Sequence, residues 1–92
     1  MIQSFADKQT KKIFYNQFSH KFPVEIQHIV KRKLNMIDAS HNLKDLKIPP
    51  ANHLKRLHGT PNTYSIRVND QYRLIFFWEN NHAYQVQLID YH

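Results

Sequence analysis

The chain has 92 residues, no cysteine, and a formal net charge of +6, from thirteen Lys and Arg against seven Asp and Glu. This length fits one domain over residues 1–92, and the lack of cysteine excludes a disulfide framework, a thiol nucleophile and a thiolate metal site. No apolar run reaches membrane-spanning length and the first residues lack the order of a signal peptide, so we expect a cytoplasmic protein without a membrane partner.

The first elements in chain order are a short strand and a short helix. Residues 1–5 alternate loosely between apolar and polar side chains, which predicts the strand. Asp7 then suits the N-cap of a helix, because its side-chain oxygen can accept from the first backbone N–H groups. On that helix Ile13, Phe14 and Phe18 would share one side, and the stretch SHKFP would end it.

A longer second helix is predicted from about residue 23 to 40, with Pro23 in its first turn. Its apolar side chains fall within one arc of a helical wheel, at Ile26, Ile29, Val30, Leu34, Met36 and Ile37. Lys33 falls on the same arc, so we expect its ammonium group to reach solvent along the apolar stem. Residues 42–50 contain two prolines and are interpreted as a connection.

Beyond residue 50 the hydrophobic period falls to two, which predicts strands. The segments 64–69 and 84–89 alternate, whereas 72–79 between them is almost wholly apolar, as a strand buried on both faces would be. Two-residue hairpins at Asn69-Asp70 and Asn80-Asn81 would join the three segments, because asparagine and aspartate tolerate a left-handed backbone.

A further strand over residues 54–58 would complete a C-terminal antiparallel sheet of about four strands. The resulting outline is an α+β fold, in which a short N-terminal strand and two helices precede the sheet and the helices pack on one side of it. Repeats, low-complexity segments and linkers are absent from the sequence.

The positive charge favours nucleic acid as a partner over an acidic protein, because Lys and Arg neutralise phosphates. Lys55, Arg56 and Arg67 would lie on or near the sheet, where they could contact RNA. The lysines of the first helix are interpreted as an ordinary solvated face. Aromatic residues of the sheet could stack on bases, but at strand spacing they favour the core, namely Tyr72, Phe76, Phe77 and Trp78.

Seven histidines in a basic chain suggest either a metal site or metal-free cleavage of RNA. His53 and His58 would face opposite sides of a strand, which does not suit a zinc site, so we expect no metal and no cofactor. Four other histidines fall in predicted helix faces or loops and are interpreted as solvated surface, at positions His20, His28, His41 and His82.

RNA can be cut by its own 2′-hydroxyl, which requires a base, an acid and a cation near the extra charge of the phosphorane. His92 and Asp90 share one side of the last strand, and Arg73 begins the central strand. Asp90 could orient the imidazole, and Tyr91 could contact a base or a phosphate. In the alternative interpretation the terminus is merely polar and frayed, and Arg73 forms a structural ion pair with Asp90 or Glu79.

Three stretches together resemble the HigB toxins, GraT-like subgroup, of the RelE/ParE superfamily. They are the opening MIQSF, the segment SIRVNDQYRLIF at 65–76, and the final IDYH. The resemblance covers essentially the whole chain and implies a RelE-like fold and a toxin of a type II toxin-antitoxin system. It also implies a ribosome-dependent endoribonuclease that cuts messenger RNA in the decoding site and so inhibits translation.

The resemblance implies a HigA-type helix-turn-helix antitoxin as partner, with operator DNA contacted only through that antitoxin. By position, Arg73, Asp90, Tyr91 and His92 match catalytic or RNA-binding positions of the family. Some members carry histidine and then lysine in the segment 54–59, whereas this chain has the reverse order. The candidate RNA-binding residues are therefore Lys55, Arg56, His58, Arg67 and His53, with the contributors among Lys55, His53 and His58 left open.

Two other functions are compatible with the same fold. ParE toxins of the superfamily inhibit DNA gyrase by binding it and cut no RNA, so a protein-binding inhibitor is the first alternative. A catalytically inactive relative that only holds the antitoxin on DNA is the second. The sequence does not distinguish these alternatives from a ribonuclease.

Overall fold

The computed structural model describes residues 1–91. Its elements are two helices, two short 3-10 turns and four strands: α1 (Lys8–Phe14), α2 (Val24–Ala39), the turns Leu43–Lys47 and Pro50–Asn52, β1 (Lys55–Arg56), β2 (Thr63–Arg67), β3 (Tyr72–Glu79) and β4 (His82–Asp90). The strands pair antiparallel in the order β1-β2-β3-β4. Both helices contact β4. The predicted α+β fold, with two helices packed on a four-stranded sheet, is confirmed.

The N-terminal segment runs beside β4 and covers its outer edge. Ile2 bridges Ala83 and Phe5 bridges Val86, both in the parallel direction. The predicted first strand therefore consists of two isolated bridges rather than a regular strand. These bridges occupy backbone groups that an uncovered edge would offer to another chain. Among residues 1–91, no helix combines the length and the apolar character needed to cross a membrane.

The first helix begins where the sequence predicts and ends earlier. Asp7 caps α1, since its Oδ1 accepts from the backbone N–H of Thr10 at 2.7 Å. The helix ends at Phe14 because the chain passes into a left-handed conformation at Asn16, where φ is 62°. The prediction that Phe18 shares the helix face was therefore wrong, and its side chain is exposed.

Helix α2 begins at Val24, directly after Pro23. Its apolar arc enters the core as predicted, through Ile26, Val30, Leu34 and Ile37. The prediction for Lys33 was wrong, because its side chain is only 5% exposed and its Nζ donates to Oδ1 of Asn52. A buried acceptor within reach replaces water for the ammonium group, so the side chain does not need to extend to the surface.

Of the two predicted hairpins, one is confirmed. Asn80 and Asn81 both have left-handed backbones, with φ of 50° and 64°, and directly join β3 to β4. The prediction of a two-residue turn at Asn69-Asp70 was wrong, because four residues separate the two strands and neither residue has a left-handed backbone. The side chain of Asn69 closes that turn instead, accepting from the backbone N–H groups of Gln71 at 2.9 Å and Tyr72 at 2.7 Å.

Candidate functional site on the second face of the sheet

Strand β3 directs successive side chains to two different faces of the sheet. One face carries the core and packs against α2, with the buried side chains Tyr72, Leu74, Phe76 and Trp78. The other, which we call the second face, carries Arg73, Ile75 and Phe77. Three of the four aromatic candidates for base stacking are therefore core residues, and Phe77 is half-buried on the second face.

Arg73 is held firmly on the second face. Its side chain is 7% exposed, its Nε donates to Oγ of Ser65 at 3.0 Å, and one terminal nitrogen donates to the carbonyl of His53 at 2.6 Å. Within residues 1–91 the guanidinium thus contacts neutral oxygens rather than the carboxylates of Asp90 or Glu79. The structural ion pair considered as an alternative is not formed among these residues.

Burial lowers the pKa of Arg73, and the charge of Arg67 acts in the same direction, whereas Tyr91 raises it. Arginine nevertheless keeps its proton in proteins, so the group remains a cation. Its neighbours among the described residues leave that charge without a carboxylate partner. A planar cation fixed in this way suits a phosphate, which can accept from two guanidinium N–H groups at once.

Tyr91 lies against this cation. Its ring centroid is 5.7 Å from the guanidinium carbon of Arg73, and its side chain is 46% exposed. Gln71 holds both Asp90 and Tyr91, which we call the terminal segment. Its carbonyl accepts from the N–H of Tyr91 at 2.6 Å, and its Nε2 donates to Oδ2 of Asp90 at 3.0 Å. The predicted site residue His92 lies outside the described residues.

The strand register separates Asp90 from Arg73. Asp90 pairs with Tyr72 on β3, whereas Ile89 pairs with Arg73. Directly opposed residues project to the same face, so Asp90 leaves β4 on the face opposite to Arg73. Of the sequence-predicted catalytic residues, the structure therefore brings Arg73 and Tyr91 together and places Asp90 at the adjoining end of β4, beside Gln71.

Two more basic residues share the second face with Arg73. Lys55 pairs with Ser65 across β1 and β2, and Arg67 pairs with Arg73 across β2 and β3. Lys55 is exposed, and Arg67 forms an ion pair with Asp70 in the following turn. The register thus sets a row of cations across three strands, as expected for a surface that receives a phosphate chain.

The remaining candidates surround this row rather than lie in it. Arg56 is exposed and pairs with Tyr64, which places it on the face opposite to Lys55. His53 follows the second 3-10 turn and has a left-handed backbone. Its backbone carbonyl, rather than its imidazole, contacts Arg73. The predicted strand over residues 54–58 is limited to Lys55–Arg56, so neither His53 nor His58 lies in a strand. Both imidazoles are exposed.

Sequence reasoning missed three contributors to this site. They are the hydroxyl of Ser65, the side chain of Gln71 and the backbone carbonyl of His53. The alternation of β2 was a usable signal for Ser65, since it places that residue on the same face as Arg67. The other two contributors depend on turns, for which the sequence pattern carries no comparable signal. Within residues 1–91, no three His, Asp or Glu side chains cluster closely enough to hold a metal ion.

The chain is similar to known toxins along almost its whole length. The HigB-like toxin family model, described as the RelE-like toxin of the type II toxin-antitoxin system HigB, matches residues 3–92. Toxin HigB-1 of Vibrio cholerae is 38% identical over 90 residues, which cover 96% of this chain and 95% of that protein. An uncharacterised protein of Haemophilus influenzae is 48% identical over 88 residues, which cover 94% of this chain and 87% of that protein. The chain therefore belongs to the HigB-like toxins, RelE-like toxins of type II toxin-antitoxin systems, a membership that implies an antitoxin partner.

Proposed function

We propose that this toxin is a metal-independent endoribonuclease that cuts messenger RNA on the ribosome and thereby inhibits translation. The observation that carries the proposal is the setting of Arg73, a buried cation fixed by Ser65 and His53 beneath the Tyr91 ring. Cleavage of RNA through its 2′-hydroxyl needs such a preorganised cation, because negative charge accumulates on the phosphate in the transition state.

The reaction requires two proton transfers in addition to this cation. A base removes the 2′-hydroxyl proton, the 2′-oxygen attacks the adjacent phosphorus, and the bond to the 5′-oxygen breaks as an acid protonates that oxygen. We assign one of these transfers to His92, because imidazole changes its protonation near neutral pH. Asp90 orients that imidazole, and Tyr91 contacts the nucleotide at the cut site.

The cations of the second face guide the RNA into this site. Lys55 on β1 and Arg67 on β2 share the face with Arg73 on β3 and contact phosphates on one side of the cut. Arg56, His53 and His58 are exposed near the β1 end of the sheet and contribute contacts to messenger or ribosomal RNA. Such contacts position the RNA without specifying its sequence, so the choice of cut site depends on the ribosome.

The antitoxin in this proposal is a HigA-type helix-turn-helix protein. It binds and neutralises the toxin, and the toxin reaches operator DNA only through it. The ribosome is the second partner, because it presents the messenger in an extended form in the decoding site. Both assignments rest on membership in the HigB-like family rather than on a contact surface.

Primer extension on a defined messenger in a purified translation system tests the proposal. The intact chain and a chain that lacks His92 are each assayed with and without ribosomes. We expect cuts only with the intact chain and with ribosomes. If the intact, folded chain makes no cuts, the ribonuclease proposal fails. A loss of plasmid supercoiling in cells that express the chain would then indicate inhibition of gyrase. Normal growth of those cells would indicate a regulatory role.

A further inference from the structure

A buried ammonium group lies close behind the site and has no part in the chemistry described above. Lys33 is on α2, 5% exposed, and its Nζ donates to Oδ1 of Asn52, which is fully buried. Burial lowers the pKa of Lys33, and the charges of Arg32 and Arg67 lower it further. An apolar residue of similar length would fill this position without the cost of burying a charge.

The partner of this ammonium joins three elements. Asn52 is the last residue of the 3-10 turn Pro50–Asn52, and its Oδ1 accepts from Lys33 on α2. Its Nδ2 donates to the carbonyl of Leu46 in the other 3-10 turn at 3.1 Å. Its own N–H donates to the carbonyl of Pro49 at 2.9 Å. The position of Asn52 is therefore fixed from several directions, and Lys33 supplies the charged contact among them.

The next residue along the chain is part of the site. His53 has a left-handed backbone, with φ of 44°, and its N–H donates to the carbonyl of Pro50 at 3.0 Å. Its carbonyl accepts from Arg73 at 2.6 Å. Because few non-glycine residues adopt this backbone region, we expect the orientation of the carbonyl to depend on the anchoring of the preceding residue.

We propose that Lys33 is a positioning residue for RNA cleavage: its contact with Asn52 anchors the turn whose last carbonyl, that of His53, fixes the guanidinium of Arg73. This inference rests on the proposed ribonuclease function. Lys33 acts through two intermediaries and does not touch the RNA. Its removal therefore lowers the rate of the chemical step while leaving the exposed cations that bind RNA in place.

The test compares Lys33→Met with Lys31→Met. Lys31 is a matched control because it also lies on α2, is half-buried and donates to a backbone carbonyl, that of Phe14 in α1, which is not among the groups that hold Arg73. Cleavage of a defined messenger on ribosomes is measured at increasing toxin concentration. For Lys33→Met we expect the maximal rate to fall by about 100-fold, the loss that a misplacement of about 1 Å can cause, with half-saturation unchanged. Lys31→Met should cut at the normal rate.

A second readout needs no RNA and so separates this inference from the proposed function. The Nε–H of Arg73, assigned with an Arg73→Lys variant, is followed by nitrogen-15 NMR. It should be sharp and slow to exchange in the intact chain and in Lys31→Met, and broadened in Lys33→Met. A Lys33→Met protein with an unchanged Arg73 signal and a normal maximal rate would overturn the inference, whereas an inactive intact chain would count against the ribonuclease alone.

A further variant covers the case in which Lys33→Met does not fold. Lys33→Met combined with Asn52→Leu removes both ends of the Lys33–Asn52 hydrogen bond, so that no unpaired amide oxygen is left buried, while the carbonyl of Leu46 loses its donor. We expect this double variant to fold, to cut slowly, and to show the broadened Arg73 signal. If it folds with normal cleavage and a normal signal, the polar contact does not position Arg73 and the inference is wrong.

Discussion

The guanidinium carbon of Arg73 lies 5.7 Å from the centroid of the Tyr91 ring, near the end of the last strand. A cation over an aromatic face is attracted by the electrons of the ring. The contact thus links the terminal segment to the buried cation of the second face. Because it involves the ring and not the hydroxyl of Tyr91, substitutions can separate what each group contributes to the cleavage rate.

Replacing Tyr91 by Phe or by Leu tests this contact. Tyr91→Phe keeps the ring over Arg73, whereas Tyr91→Leu removes it. We expect Tyr91→Leu to cut RNA roughly 2- to 5-fold more slowly than Tyr91→Phe, the equivalent of about 0.5–1 kcal/mol for a cation–π contact whose ring is partly exposed. Cleavage rates on ribosomes measure the difference. Equal rates for the two variants would show that the ring does not support Arg73.

Arg73→Lys removes the planar fork while keeping the charge. A lysine cannot make the paired contacts with Ser65 and His53 and present a second donor to phosphate. We expect the cleavage rate to fall about 100- to 1,000-fold, as for loss of one donor to a developing anion. The unpaired carbonyl of His53 should also lower the free energy of unfolding by about 1–3 kcal/mol in a urea titration.

Arg32→Lys is the control for that substitution. Arg32 is exposed on α2, so the same chemical change there should leave the cleavage rate and the free energy of unfolding as in the intact chain. If Arg73→Lys retained normal cleavage, a point charge alone would be sufficient and the role of the fixed fork would be contradicted.

Gln71→Ala removes the side chain that donates to Asp90 at 3.0 Å. This hydrogen bond is exposed, and we expect it to hold Asp90 in place with a free energy of about 0.5–1.5 kcal/mol. Losing that free energy in the transition state would slow cleavage roughly 2- to 10-fold. Gln17→Ala, an exposed glutamine beyond α1, should have no effect. The free energy of unfolding should fall by no more than about 1.5 kcal/mol in Gln71→Ala and should stay unchanged in Gln17→Ala. A normal cleavage rate for Gln71→Ala would mean that Asp90 needs no such support.

Lys55→Ala tests the row of cations. We expect weaker binding to an uncleavable messenger that carries a 2′-deoxy sugar at the cut site. The logarithm of the binding constant should also depend less steeply on the logarithm of salt concentration, by about 0.7 for one lost contact with single-stranded RNA. Lys47→Ala, exposed in the first 3-10 turn, provides the comparison. Identical salt slopes for the two variants would place the RNA elsewhere.

The buried ammonium of Lys33 predicts a pH dependence of stability. Its pKa in the folded chain is lowered from 10.5, chiefly by burial. Between the folded pKa and 10.5 the unfolded chain binds more protons, so the contribution of Lys33 to the free energy of unfolding rises with pH in that window. Urea titrations of the intact chain and of Lys33→Met should show this rise in their difference. Lys31→Met serves as the control, and a difference that is flat or falls with pH would refute the prediction.

The sequence alone determined the architecture, because its patterns are local. The period of the apolar residues placed α2 and three of the four strands, Asp7 marked the start of α1, and Asn80-Asn81 specified a two-residue hairpin. The positive charge and the terminal Asp-Tyr-His are equally plain in the sequence, and the family resemblance that it supports is confirmed.

Only the tertiary structure decided which side chains meet. Lys33 lies on an apolar arc, and nothing nearby in sequence shows that Asn52, nineteen residues later, accepts from its ammonium group. Likewise, Arg73 is fixed by Ser65, eight residues away, and by a carbonyl twenty residues away. Local periodicity specifies which face a residue occupies, whereas the partner on that face depends on strand register and on turns that bring distant segments together.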